Sequence, residues 1–309
     1  MKINKPKFWD AKINFLSIIL YPLTLVFLLF IYLKKKTTKQ IKYNIPIICV
    51  GNIYIGGTGK TPVSILIANE LSNLGKNIAI LRKYYKEHAD EHNLIKKNFK
   101  NLILKQNRVD GIKEAEKSGY DCLILDDGFQ DYKIKKNLNI LCFNENQLVG
   151  NGLVLPAGPL RESLSSVKDA DIILINGEKN NTFEKKILDL NNNLEIFYSN
   201  YECLNINQFR DKKILAIAGI GNPKNFFQLI TKKGLDIERE IVFPDHYQFT
   251  KDELQNIVSE AKLKNLHILM TEKDYLRIQD FNFSTINYLQ VNLKIKEKEK
   301  FIKTITKLY

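Results

Sequence analysis

The sequence predicts an α/β fold: two units of parallel sheet flanked by helices, preceded by an apolar N-terminal helix. Three observations lead there. Short apolar runs alternate with helical patterns along most of the chain, which is how βαβ units read. The length, 309 residues, exceeds one ordinary core and suits two domains. An uncharged stretch, Phe15 to Leu33, stands ahead of the first strand pattern and is closed by Lys34-Lys35-Lys36. The expected division is an N-terminal membrane-associated helix within 1–40, a first α/β domain over 41–190, and a second over 191–309.

The N-terminal stretch has 19 residues, about enough to cross a bilayer core as a helix. Pro22 interrupts it and no small-residue cleavage site follows, so a secretory signal peptide is not expected. Three readings stay open: a spanning helix, a helix lying in the interface with its lysines on anionic headgroups, or the core helix of a soluble protein. The net charge of +13 bears on the choice, because nine lysines oppose one acid, Asp10, between Met1 and Asn44. A nucleic-acid binder would carry such charge on a folded face with aromatics between. Here it flanks an apolar segment, so a membrane surface with anionic lipids is the expected partner and nucleic acid is not. Lys34 to Lys42 favour a cytoplasmic main body.

The first α/β domain opens with the apolar run Ile45 to Val50, a buried strand, followed by Gly51-Asn52-Ile53-Tyr54-Ile55-Gly56-Gly57-Thr58-Gly59-Lys60-Thr61-Pro62 and a helical pattern over Val63 to Leu74. Strand, glycine-rich turn and helix in that order are what a phosphate-binding loop requires. Glycines let successive N–H groups face one anion, and the helix N-terminus adds partial positive charge. Lys60 would reach the β- and γ-phosphates and Thr61 would hold Mg²⁺. Tyr54 stands where the strict pattern has its first glycine. On this motif the first domain reads as a P-loop NTPase-type parallel sheet, one of two Rossmann-like α/β domains.

A second apolar run follows at Asn77 to Leu81, then the polar stretch Arg82 to Asn98, expected as a loop facing the nucleotide. Val109 to Ser118 reads as a helix. Cys122 to Leu125 is a buried strand ending in Asp126-Asp127-Gly128-Phe129-Gln130, and an apolar strand ending in Asp is how a Mg²⁺-contacting Walker-B carboxylate reads. After the strand Asn139 to Phe143 comes Gly150 to Glu162, a loop with three glycines and two prolines, which suggests a rigid shape near a ligand. Its cation Arg161 could contact phosphate or pair with Glu162. Asp171 to Asn176 completes the first sheet, and Gly177 to Asn193, with a helix at Phe183 to Leu188, reads as the boundary.

In the second domain a strand, Ile214 to Ala218, leads through Gly219-Ile220-Gly221-Asn222-Pro223 to a helix over Lys224 to Lys233. A strand at Glu240 to Phe243 precedes Pro244-Asp245-His246-Tyr247-Gln248-Phe249. Thr250 is a natural N-cap for a helix over Lys251 to Leu263. The strand His267 to Met270 ends in Thr271-Glu272-Lys273-Asp274, and a strand at Ile286 to Leu293 with a helix at Glu299 to Leu308 completes the pattern. His246, beside Asp245 in a loop after a strand, stands where a functional histidine would. Cys49, Cys122, Cys142 and Cys203 are widely spaced and read as small buried hydrophobes of a reducing compartment, without metal-ligand spacing.

Taken together, these motifs resemble the tetraacyldisaccharide 4'-kinases of lipid A biosynthesis. The strings that carry the resemblance are Val50-Gly51-Asn52 with Gly56 to Pro62, Asp126 to Gln130, Gly150 to Glu162, Ala218 to Pro223 with Phe226-Phe227, Phe243 to His246, and Thr271 to Asp274. They occur in the family's order across nearly the whole chain. The resemblance implies an enzyme at the cytoplasmic face of the bacterial inner membrane. It would transfer the γ-phosphate of ATP, with Mg²⁺, to the 4'-hydroxyl of an acylated glucosamine disaccharide 1-phosphate lipid, with its site between two α/β domains. It further implies that Ile55, Gly56, Gly57, Thr58, Gly59, Lys60, Thr61, Pro62 and Arg161 bind the nucleotide. Thr61, Asp126, Asp127 and Glu91 would surround the metal, and Asp90, His246, Lys60 and Asp127 would carry the chemistry, with Asp90 as base partnered by His246.

This chain departs from the family pattern at several positions. Asp131 replaces a His after the Asp-Asp-Gly-Phe-Gln string, and Arg82-Lys83-Tyr84-Tyr85 replaces Ser-Arg-Gly-Tyr, with Lys83 where Arg is usual. The segment leading to Asp90-Glu91 is shorter, and His92 stands in place of Pro. Two other classes fit the phosphate loop alone: a membrane-bound switch ATPase, against which Ile55 counts because those proteins often have Lys there, and a non-catalytic membrane tether.

Overall fold

The computed structural model describes residues 6–307. In chain order the elements are α1 (Phe15–Thr37), β1 (Ile47–Gly51), α2 (Lys60–Asn73), β2 (Ile78–Lys83), α3 (Ala89–Asn98), β3 (Leu102–Lys105), α4 (Arg108–Lys117), β4 (Cys122–Asp126), β5 (Leu138–Asn144) and β6 (Ile172–Asn176). They continue with α5 (Asn181–Leu188), β7 (Glu195–Cys203), β8 (Lys213–Ala218), α6 (Pro223–Lys232), β9 (Asp236–Val242), α7 (Lys251–Leu263), β10 (His267–Thr271), α8 (Glu272–Ile278), β11 (Ile286–Leu289), β12 (Val291–Ile295) and α9 (Lys298–Thr306).

The chain forms two compact units. Among the described residues the larger comprises 6–84, 99–200 and 293–307; the smaller comprises 85–98 and 201–292. These units are drawn differently from the expected division in two places. The segment 85–98 leaves the first domain because the buried face of α3, with Asp90 and Ile95, packs on α8. The C-terminal helix leaves the second because Phe301 of α9 packs edge-on against Phe197 of β7, and Lys298 pairs with Glu70 of α2.

The larger unit is built on a sheet of order β12-β7-β6-β5-β1-β4-β2-β3. Every registered pair from β3 to β7 is parallel. Strands β1, β4 and β6 are buried along their whole length and β5 at all but Asn139, which is why they read as continuous apolar runs rather than alternating ones. Because β1, β4 and β2 lie side by side and parallel, the loops leaving their carboxyl ends are brought together. In register Val50 pairs with Asp126, and Arg82 pairs with Asp126 on the other side.

The smaller unit has a parallel sheet of order β11-β10-β8-β9. Its helices bury Leu254, Ile257 and Ala261 of α7 on one side, and Phe226, Phe227 and Ile230 of α6 on the other. The expected single strand over Ile286 to Leu293 is two strands, β11 and β12, assigned to different sheets.

Helix α1 is capped by Asn14, whose side chain accepts from the Ser17 N–H, and runs through Pro22 to Thr37. Its inner face carries the buried Ser17 and Thr24, with Phe27, Leu28 and Ile31 against the core of the larger unit. Its outer face is apolar and exposed from Phe15 to Leu33, so the core-helix reading fails. It is long and apolar enough to cross a membrane by length and composition.

Candidate active site

The phosphate loop is braced from inside and outside. Buried Asn52 donates from Nδ2 to the Tyr54 carbonyl (2.7 Å) and to Thr58 Oγ1 (3.0 Å), tying the loop across its own turn. Gly56 (φ 120°) and Gly59 (φ 90°) take the left-handed backbone that glycine alone adopts without cost. Helix α2 then starts at Lys60 and aims its first N–H groups back into the loop. Tyr54 is compatible with the loop because its φ is not positive and its side chain is buried, while its backbone forms an isolated antiparallel bridge with Leu160. Ile55 N donates to the Pro159 carbonyl (2.9 Å) and Arg161 N to the Ile53 carbonyl (2.6 Å), so the Gly150 to Glu162 loop is stitched along the phosphate loop.

That stitching delivers Arg161. Its Nη1 lies 3.0 Å from Asp127 Oδ1, and Lys60 Nζ lies 3.4 Å from the same oxygen. Glu162 turns the other way, to Lys35 (2.8 Å) and Ser166, so the alternative Arg161–Glu162 pair is not formed. Asp127 sits just beyond β4 with φ 58°, strained for a residue with a Cβ, and its N–H donates to the Val50 carbonyl. Burial alone would raise its pKa, but Lys60, Arg161, Arg82 and Arg108 overcome this and hold the carboxyl well below the usual range. Burial conversely lowers the pKa of Lys60, partly offset by Asp127.

Asp126 is fully buried, with Oδ1 accepting from Ser64 Oγ (3.0 Å) and Oδ2 from Thr61 Oγ1 (3.1 Å) and from Arg82. Thr61 and the two aspartates are oxygen donors, the chemistry Mg²⁺ prefers, so the residues fit that ion. Asp131, standing where the family has His, faces Arg108 (3.6 Å), which also donates to the Asp127 carbonyl (2.7 Å).

In the smaller unit Asp90 lies in the first turn of α3, buried. Its Oδ1 is 3.0 Å from His246 Nδ1, and its Oδ2 meets Arg277 and, at 3.3 Å, Lys273. Burial opposes ionisation, but His246, Lys273 and Arg277 prevail and hold the carboxyl well below its ordinary pKa. Arg277 is itself fixed by Asp274 (2.6 Å) and by the Gly219 carbonyl (2.9 Å), while Asp274 accepts from the Gly219 N–H (2.9 Å). A Cβ at Gly219 would come within 3.1 Å of Asp274 Oδ1, which explains a glycine there. Thr271 caps α8 by accepting from the Asp274 N–H.

Glu91 pairs with Lys273 (3.1 Å) and with His88 (3.4 Å). His88, Glu91 and His246 bring ligand atoms within 4.8 Å of one another. The two imidazoles are stacked at 4.2 Å and 5° apart, however, so no ion could lie in both ring planes without reorientation.

Comparison with known proteins decides the family. Residues 16–309 match the family model described as Tetraacyldisaccharide-1-P 4'-kinase. The chain belongs to the tetraacyldisaccharide 4'-kinase family. A tetraacyldisaccharide 4'-kinase of Pelagibacter ubique (strain HTCC1062) is 38% identical, covering 100% of this chain and 99% of the relative. One from Francisella tularensis subsp. novicida (strain U112) is 33% identical over 94% of this chain and 98% of its own. Among solved structures the LpxK protein of Aquifex aeolicus, in complex with ATP, matches with a TM-score of 0.72 and 25% identity, over 95% of this chain and 99% of that one.

In this member of the tetraacyldisaccharide 4'-kinase family, the residues singled out from the sequence fall into two groups. Ile55 to Pro62, Asp126, Asp127 and Arg161 belong to the larger unit, and Asp90, Glu91 and His246 to the smaller. Arg82, Arg108, Asp274 and Arg277 were not anticipated as partners of these groups. Lys273 and Asp274 lie in the Thr271 to Asp274 string, which was a signal without a role. The stretch 82–98, expected as a loop, is the end of β2, a 3-10 turn and α3.

Proposed function

We propose that the chain transfers the γ-phosphoryl group of ATP to the 4'-hydroxyl of a tetraacylated glucosamine disaccharide 1-phosphate lipid, at the cytoplasmic face of the bacterial inner membrane. The observation that carries the reading is the braced phosphate loop, with Lys60 and Arg161 converging beside Asp127 at the carboxyl ends of β1 and β4. Phosphoryl transfer needs positioning and neutralisation of negative charge more than covalent help. Loop N–H groups of Gly56 to Lys60 and the α2 N-terminus cradle the phosphates. Lys60 and Arg161 leave Asp127 for the phosphate oxygens, and a nucleotide that offers more charge than one carboxylate draws them across. Thr61, Asp126 and Asp127 would hold Mg²⁺, which would supply neutralisation of phosphate charge.

A sugar hydroxyl needs its proton removed. Asp90 and His246 act as that base together, Asp90 fixed by Arg277 and Lys273 and the imidazole oriented by Asp90. Helix α1 lies in the membrane interface, its apolar face among acyl chains and Lys34 to Lys36 at headgroups, which suits a lipid-borne acceptor. The deciding experiment supplies labelled ATP and the disaccharide lipid to the purified chain and reads label at the 4' position. Phosphate released without the lipid, or label that never appears on it, would refute the proposal.

A further inference from the structure

Arg82 is the penultimate residue of β2, and strand register sets it opposite Asp126 on neighbouring β4. Its Nη1 donates to Asp126 Oδ2 and lies 3.3 Å from Thr61 Oγ1. Arg82, Thr61 and Asp126 are each more than nine-tenths buried. The other carboxylate oxygen is taken by Ser64 Oγ at 3.0 Å. Thr61 Oγ1 and Asp126 Oδ2 are the two atoms through which a phosphate-loop hydroxyl and a strand-end aspartate meet a divalent ion. A guanidinium bonded to both supplies a fixed positive charge at the place the ion would take.

We propose that Arg82 is a resident counter-cation that competes with the divalent ion for Thr61 Oγ1 and Asp126 Oδ2, so that metal loading requires its displacement. A fully buried carboxylate without a cation is costly. Arg82 supplies that cation before nucleotide arrives, and metal binding must exceed the Arg82–Asp126 attraction rather than fall into an anionic hole. The consequence is a weaker intrinsic metal affinity than the donor set alone would give. Asp127 keeps its own ion-pair partners, Lys60 and Arg161, when Arg82 moves away.

The inference rests on reading the phosphate loop as a metal–nucleotide site, and the test separates the two. Mn²⁺ is titrated into the full chain saturated with ADP, and free Mn²⁺ is read by electron paramagnetic resonance. Arg82→Ser should tighten Mn²⁺ at least tenfold, and Arg82→Lys less, because the ammonium keeps a positive charge on the same stem, competing with the ion. The melting temperature of Arg82→Ser should also rise more on adding Mn²⁺ than that of the unaltered chain. If Arg82→Ser does not fold in chelator, Arg82→Lys, which keeps the charge, decides the matter with a gain of a few-fold. Affinities within twofold of the unaltered chain, or weaker in the variants, would overturn the competition while leaving the nucleotide site standing. An unaltered chain that takes up neither ADP nor Mn²⁺ would remove both.

Discussion

Asp90 Oδ1 and His246 Nδ1 lie 3.0 Å apart, joining the first turn of α3 to a loop 156 residues further along. The second oxygen of Asp90 is held by Arg277 and Lys273. A carboxylate so clamped gives up little basicity to a substrate alone, but it orients an imidazole and stabilises the charge that forms when the ring takes a proton. His246 is held at φ 56°, a left-handed backbone unusual for a residue with a side chain, and its N–H is anchored by Asp245 Oδ1 (3.0 Å). Strain of this kind persists where the surroundings dictate one side-chain direction.

Replacing Asp90 by Asn should therefore remove the pair as a base. The expected fall in kcat is about 10²- to 10⁴-fold, the usual range for a general base, with nucleotide affinity retained because the phosphate loop belongs to the other unit. Steady-state turnover beside ADP binding checks it. Undiminished turnover in Asp90→Asn would exclude the pair from proton transfer.

The same clamp predicts a pH dependence of stability. Because the Asp90 pKa is lowered in the folded chain, its contribution is fully present above the unfolded value of about 3.9 and is lost as pH falls below it. Urea midpoints should hold from pH 7 to about 5 and then drop. Asp90→Asn, which leaves Arg277 and Lys273 without their shared carboxylate, should be less stable by roughly 3 kcal/mol at pH 7. That difference should shrink toward pH 3; a difference independent of pH would contradict the ionised clamp.

What was legible in the sequence was local. The phosphate loop and Asp126-Asp127 announce themselves because strand, turn and helix are contiguous, and glycine spacing records backbone conformation directly. Arg82 escaped because its role comes from strand order, which sets β2 beside β4 although 44 residues separate Arg82 from Asp126. The helix α3 escaped for a similar reason. Its polar composition, with Asp90 and His92 buried, makes sense only against α8, where Lys273 and Arg277 supply the opposite charges. Strand β7 buries only Phe197 and Ser199 over Glu195–Cys203 and contains an Asn, so it gave no apolar run to read. Gln290 lies between β11 and β12, and nothing apolar or glycine-like marks that break.

Gly51 offers a test of how the carboxylates are aimed. A Cβ there would lie 2.5 Å from Phe129 Cβ and 3.2 Å from the Phe129 nitrogen, so backbone as well as side chain must move. Phe129 follows the turn that carries Asp127, and Gln130 Nε2 donates to the Asn52 carbonyl on the facing loop (2.9 Å). Gly51→Ala should cost about 1–3 kcal/mol by overpacking and weaken ATP binding, measured by thermal melting and calorimetry. Gly57→Ala is the control for stability alone, since a Cβ there meets nothing within 4 Å.

The attachment of α1 argues for a helix lying in the interface. Thr24 Oγ1 donates to the Val154 carbonyl (3.0 Å) and accepts from Ala157 N (3.1 Å), Asn151 Nδ2 donates to Ser17 Oγ (3.3 Å), and Lys35 pairs with Glu162 and Asp169. A spanning helix would forfeit these bonds, at about 1–3 kcal/mol for each buried polar group left without a partner. Outward, Val26 and Phe30 are more than 60% exposed. Each would gain roughly 1.5–3 kcal/mol on entering an apolar phase. Val26→Ser with Phe30→Ser should therefore lower partitioning onto anionic phospholipid vesicles by about 100-fold or more, read by co-sedimentation. Thr24→Val should lower the melting temperature and leave vesicle binding intact. Equal vesicle binding by the Val26/Phe30 double variant would show that this face is not what meets the lipid.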